Sequence, residues 1–144
     1  MDTDGITAIL KKVEKEKPDV TIALLHWGSE FNDTHSKSQE KIRDLMLENG
    51  VDAIIGSHPH YVQEIDYSRA DGTLVAYSLG DFFGDADRAG SEYSVVLDLE
   101  ITKNTRNGRA QIAGYSYTPI YTVSERNTVR VVRIAEAMTA YEDS

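Results

Sequence analysis

Cysteine is absent from all 144 positions, which excludes disulfide staples, thiolate metal ligands and a cysteine nucleophile. The redox compartment stays open. Basic residues are scarce: 15 Lys and Arg stand against 24 Asp and Glu, a net charge of −9. Nucleic acids and anionic membrane surfaces are held by clustered cations, so neither is expected as a partner. Long apolar runs are missing too. Val20–Leu25 and Val51–Ile55 fall far short of the ~20 residues a membrane helix needs, so no membrane insertion is expected. Met1 to Gly5 lacks the basic and apolar regions of a secretory signal, which leaves open an export signal upstream. What is present, 40% hydrophobic and 27% charged residues, is the balance of an ordinary globular domain able to bury a core. No internal repeat or low-complexity linker divides it. The chain reads as a single domain or part of one.

Hydrophobic spacing supplies the elements. Ile6 to Glu16 predicts a helix with a Leu10/Val13 stripe, stopped near Pro18. Val20–Leu25 is a continuous, partly β-branched apolar run, the pattern of a strand covered on both faces. Thr34 and Ser36 are alternative N-caps for a helix to about Glu48, with Ile42, Leu45 and Met46 on one face and Asn49-Gly50 as its C-cap. Val51–Ile55 predicts a second buried strand parallel to the first, making a βαβ unit. The second half changes style. Val62–Tyr67 and Thr73–Ser78 flank a turn and predict a hairpin; Tyr93–Thr102 and Ala110–Pro119 predict two more antiparallel strands. From Val129 to about Tyr141 a terminal helix and a short initial strand are equally open.

Ligands in open α/β sheets bind beyond the carboxyl ends of strands, and two such ends here finish in histidine. They are His26-Trp27-Gly28 and Gly56-Ser57-His58-Pro59-His60. A lone histidine is most often a packing residue. The second group is more specific: a permissive glycine, a φ-locking proline and two imidazoles in five residues. Imidazole is the usual neutral nitrogen ligand for zinc, iron, manganese or nickel, and a rigid turn lowers the ordering cost of chelation. If the two strands lie side by side, His26 joins the same site. Three histidines are enough to hold a zinc, whereas a two-metal site needs carboxylates as well.

Three motifs in order, His26-Trp27-Gly28-Ser29-Glu30-Phe31, Gly56-Ser57-His58-Pro59-His60 and Tyr77-Ser78-Leu79-Gly80-Asp81-Phe82, resemble the C-terminal half of the CapA-type capsule-synthesis family. The resemblance covers about residues 5–100. It implies a role in poly-γ-glutamate capsule synthesis or export at the bacterial cell envelope, alongside other capsule-synthesis proteins. It also implies kinship with calcineurin-like metallophosphoesterases, whose α/β/β/α sandwich holds two metals at strand ends. The fold class expected is therefore α/β: the C-terminal half of such a sandwich, a parallel βαβ unit followed by antiparallel strands. By position, His26, His58 and His60 match metal ligands for divalent ions such as Mn, Fe, Zn or Ni. Trp27 and Glu30 match residues lining the site for a phosphorylated small molecule or a capsule polymer or precursor. Asp81 stands where that family usually has asparagine, either an added ligand or a turn residue. The superfamily's Gly-Asp motif and Asn-His pair have no counterpart here, so the residues 1–144 are expected to be the second half of the domain, with an incomplete metal site and no turnover of their own. An exposed sheet edge, and through it a homodimer, is the expected consequence.

The remaining candidates have blander readings. His35 is read as a solvated loop residue, Phe82-Phe83 as core, and Asp85, Asp87 and Asp98 as too scattered for a calcium loop. Ser57 and Ser78 lack the strand–turn–helix setting of a serine nucleophile. Three functions stay open: a metal-dependent phosphoesterase-like hydrolase, a non-catalytic polymer-binding protein on the same fold, and an interaction module whose histidines are relics.

Overall fold

The computed structural model describes residues 2–84, 88–125 and 128–142. Ten elements follow in order: α1 (Thr3–Lys15), β1 (Ile22–His26), α2 (Lys37–Glu48), β2 (Ala53–Ser57), β3 (Ile65–Ser68), β4 (Thr73–Ala76), β5 (Tyr93–Lys103), β6 (Ala110–Glu125), β7 (Thr128–Arg133) and α3 (Ile134–Glu142). They build two sheets, one ordered β1-β2-β4-β3 and one ordered β5-β6-β7. In the first sheet β1, β2 and β4 are parallel and β3 returns antiparallel beside β4. The second is antiparallel throughout. This is the α/β class, with a parallel unit followed by antiparallel strands.

Local chemistry explains the helices. The Asp2 carboxylate accepts the Gly5 N–H and caps α1. Of the two candidate caps for α2, Ser36 is the one used: its side chain accepts from the Gln39 N–H while the Gln39 side chain accepts the Ser36 N–H, a reciprocal capping box. Both helices pack on one face of the first sheet. There Leu10, Ile42 and Met46 meet Trp27, Ile54, Val75 and Tyr77 in one core. On the opposite face Ala53, Leu74 and Ala76 pack against Ile112, Leu97, Leu99 and Tyr115 from the second sheet. The two cores are thus the two faces of β2 and β4, as strand alternation requires.

Four expectations change. First, Val20–Leu25 is not covered on both faces: β1 is an edge strand, and Ile22, Leu24 and His26 are exposed, Leu24 by 78%. The unbroken apolar run reflects one face on the helices and one left open. Second, the predicted hairpin forms, but β4 also pairs with β2 and so joins the first sheet. Third, β6 does not stop at Pro119. It continues to Glu125, because Pro119 precedes the point where β7 begins to pair, at Ile120. There β6 has only β5 beside it, and a missing N–H is tolerated. Fourth, Phe82 and Phe83 are 63% and 62% exposed rather than core. The C-terminal alternatives resolve as a strand, β7, followed directly by α3. Asp85 and Asp87 lie outside the described residues.

An unpaired edge bearing an exposed Leu24 favours association. Leu24→Lys is therefore expected to lower the self-association of the chain in light scattering. Equal masses for the two proteins across concentration would count against a sticky edge.

Candidate metal centre

Parallel pairing sets His26 of β1 opposite Ser57 of β2, so the two histidine-bearing segments leave the sheet at the same end. Beyond Ser57 the chain turns through a buried Pro59. His58 and His60 have φ of 100° and 62°, in the left-handed region that costs most residues about 1–3 kcal/mol. Phe31, at φ 56°, donates its N–H to the Pro59 carbonyl at 2.7 Å. Three of the four described non-glycine residues at positive φ, Phe31, His58 and His60, therefore surround this one turn. Such strain persists where surrounding contacts over-determine it, and it collects at functional sites.

The turn brings the imidazoles together. The His26 and His58 rings lie 4.4 Å apart between centroids, and His58 and His60 6.4 Å. His60 Nδ1 meets Asp81 Oδ2 at 2.7 Å, and its Nε2 lies 3.8 Å from Glu30 Oε1. Asp81, open in the sequence between ligand and turn residue, is thus the carboxylate that orients His60. A carboxylate on one imidazole nitrogen fixes the tautomer and leaves the other nitrogen free to bind a cation. In chemical type the set suits a divalent transition ion: neutral nitrogens with a carboxylate behind one of them. In number it is incomplete. Among the described residues no three His, Asp or Glu side chains close around one ion position.

Trp27 has another task. Strand alternation that turns His26 outward turns Trp27 into the helix-side core, where it is 4% exposed and its indole N–H donates to the Tyr77 carbonyl at 2.8 Å. It supports the cluster from beneath and does not line it. Gly56 makes that bond possible. A Cβ there would stand 2.0 Å from the Tyr77 oxygen and 2.3 Å from the indole nitrogen, so this glycine is required for close approach and not for backbone freedom.

An open recess of about 600 Å³ leads from the cluster along the exposed face of the sheet, lined by Leu24, His26, Ile55, Ser57, Phe82 and Val96. Exposed Phe82 therefore borders the recess beside His26.

One residue was missed by sequence reasoning. His35 is not solvated: its side chain is 19% exposed, stacks on Tyr77 at 4.1 Å, and faces Glu64 at 2.9 Å through Nδ1 and Glu40 at 3.2 Å through Nε2. It clasps the start of α2 to the segment before β3. The His35 hydrogen bond holds the Glu64 carboxyl below the usual glutamate range, while Lys37 first and His35 after it do the same for Glu40. Burial pushes the Tyr77 phenol up. A carboxyl lowered in the folded state adds stability that is whole above its unfolded value and fades as pH falls through its folded value. Thermal unfolding of Glu64→Gln is accordingly expected to show a shallower loss of stability on the acid side, below about pH 4.5, than the parent protein. Parallel acid limbs would remove the clasp from the account. Only the 29-residue separation of His35 from Glu64 hid this pair.

The family model for bacterial capsule synthesis protein PGA_cap matches residues 1–86. The chain belongs to this family. It is 30% identical over 90 residues to the PGA biosynthesis protein CapA of Bacillus subtilis (strain 168), covering 62% of this chain and 23% of the relative. It is 29% identical over 102 residues to the capsule biosynthesis protein CapA of Bacillus anthracis, covering 67% and 24%. The matched stretch spans about a quarter of the length of each relative. The capsule-synthesis match takes in β1 to β4 and all six candidate residues, His26, Trp27, Glu30, His58, His60 and Asp81; β5 to β7 lie beyond it.

Proposed function

We propose that the chain carries the imidazole part of a divalent-metal centre of metallophosphoesterase type, in a protein of poly-γ-glutamate capsule biosynthesis or export at the cell envelope. The observation that carries this reading is the adjacency of His26 to His58 and of His58 to His60 at the ends of two parallel strands, on a strained turn with Asp81 behind His60; the three rings do not close on one point as they stand, so a shared ion requires them to turn inward. Family membership supports the capsule role. His26, His58 and His60 would hold the metal, and a metal bound there supplies a polarising charge and an acidified water for attack on a phosphoryl or acyl centre. Glu30 and Asp81 set the charge around it. The remaining ligands come from polypeptide beyond these side chains, so residues 1–144 alone are expected to bind metal without turning over a phosphodiester. The substrate is a phosphorylated small molecule or the capsule polymer or its precursor, and other capsule-synthesis proteins are the partners.

The test is metal retention. Protein exposed to manganese, nickel or zinc and then desalted should keep metal, and His58→Ala and His60→Ala should lose it. Equal metal content in all three would remove the centre.

A second reading, a polymer-binding or interaction module with a relic site, draws on the absence of a closed ligand set among the described residues. It predicts retention of γ-glutamyl polymer that is indifferent to His58 and His60.

A further inference from the structure

Beside the imidazoles stands a cation that the metal reading leaves without a role. The Arg88 guanidinium lies over the Phe31 ring, 4.2 Å from its centroid, and the same Phe31 ring stacks on His60 at 5.1 Å with a 16° tilt. Arg88, Phe31 and His60 therefore form one connected series of contacts, with Asp81 at Nδ1 of its last member.

The chain fixes both ends of this series. Phe31 is held in left-handed backbone by its bond to the Pro59 carbonyl and takes an edge contact from Tyr61 at 6.0 Å. Tyr61, the neighbour of His60, reaches across with its hydroxyl to donate to the Ala89 carbonyl at 2.9 Å. The Ser91 hydroxyl and N–H both donate to the Arg88 carbonyl, at 2.8 and 3.0 Å. Tyr61 thus holds the backbone on the C-terminal side of Arg88. The side chain is exposed, and among the described residues no carboxylate lies within salt-bridge distance of its guanidinium. A guanidinium laid flat on an aromatic ring keeps its in-plane N–H fork directed outward, the geometry that receives a carboxylate or phosphate in two parallel bonds. In a chain of net charge −9, an anionic substrate approaching Glu30 and Asp81 needs such a counter-charge.

We infer that Arg88, seated on Phe31, is the oxyanion-recognition residue of the imidazole site, gripping the phosphoryl or carboxylate group of the substrate beside His60. The inference rests on the proposed metal site for its location, not for its chemistry. It is a binding role: Arg88 selects the anionic group and places it.

The experiment measures binding by calorimetry on the whole chain, with inorganic phosphate in one arm and a short γ-linked glutamate oligomer in the other, each with and without zinc. The wild-type protein is expected to bind one of the two anions, and the arm that binds names the source of the oxyanion. Arg88→Ala should weaken that binding about tenfold or more, the loss of a charge-assisted bidentate pair. Arg88→Lys should recover only part, since an ammonium lacks the fork. Phe31→Leu, which removes the platform and keeps the bulk, should cost about threefold. Zinc retention should be unchanged in the two Arg88 variants. Anion binding equal in wild type and Arg88→Ala, or none to the wild type at millimolar concentration, overturns the inference. Zinc retention failing while Arg88-dependent anion binding persists would remove the metal reading and leave the oxyanion residue standing.

Discussion

Gly56→Ala is expected to remove a large part of the stability of this chain. The added methyl would meet the Tyr77 backbone oxygen at 2.0 Å and the Trp27 indole nitrogen at 2.3 Å, and neither can yield cheaply. The oxygen belongs to the segment that continues β4, parallel neighbour of β2, so relief requires the two central strands to part. The indole is 4% exposed in the helix-side core, so relief there breaks a buried hydrogen bond and moves a large ring. Overpacking typically costs about 1–3 kcal/mol and an orphaned buried donor about as much again. A loss of about 4 kcal/mol would consume much of the 5–15 kcal/mol on which an ordinary domain rests. Ser57→Ala is the control. Ser57 is exposed and its hydroxyl donates to the Leu25 carbonyl, at 3.1 Å, so loss of that hydroxyl should cost about 1 kcal/mol or less. Urea midpoints for the two variants check this; equal midpoints would show that the central strands can part without cost.

The second large effect concerns metal affinity and should be graded by distance from the ion. His58→Ala and His60→Ala each delete an imidazole and should abolish retention. Asp81→Ala leaves all three imidazoles in place but frees the His60 ring, which Asp81 now holds at 2.7 Å. Loss of such a supporting carboxylate typically costs 10–100-fold in metal affinity, and that range is the expected outcome. Asp81→Asn keeps an oxygen of the same shape and should lose less. The fold should survive all four changes, since these side chains lie at the end of the sheet and outside both cores. Competition with a chelating dye would measure the series. An Asp81→Ala affinity equal to wild type would make the Asp81–His60 contact incidental.

Much of this arrangement was legible where the governing interactions are local. The N-cap at Ser36, one of two candidates, the β1–α2–β2 unit and the Gly-x-His-Pro-His turn all lie within a few residues of the groups that determine them. The meeting of His26 with His58 required one further assumption, that the two strands are neighbours, and the parallel register of β1 and β2 supplies it. What stayed hidden depends on distant pairing. Nothing near Val20–Leu25 shows that β1 is an edge, because that depends on which strand takes the place beside β2. His35 reads as a loop residue until Glu64, 29 positions on, comes beside it. Trp27 adjoins His26 in sequence, yet alternation sends the two to opposite faces, and the motif alone cannot show which faces the site. Phe82 and Phe83 carry core chemistry on an exposed segment, beside a sheet face that the described residues do not cover.

The central claim is that the imidazoles of positions 26, 58 and 60 share a metal ion, and X-ray absorption on the zinc-loaded protein tests it most directly. The account predicts nitrogen neighbours at ~2.0–2.1 Å with the outer-shell scattering of at least two imidazoles. A shell of water oxygens alone, unaltered by His58→Ala and His60→Ala, would contradict it.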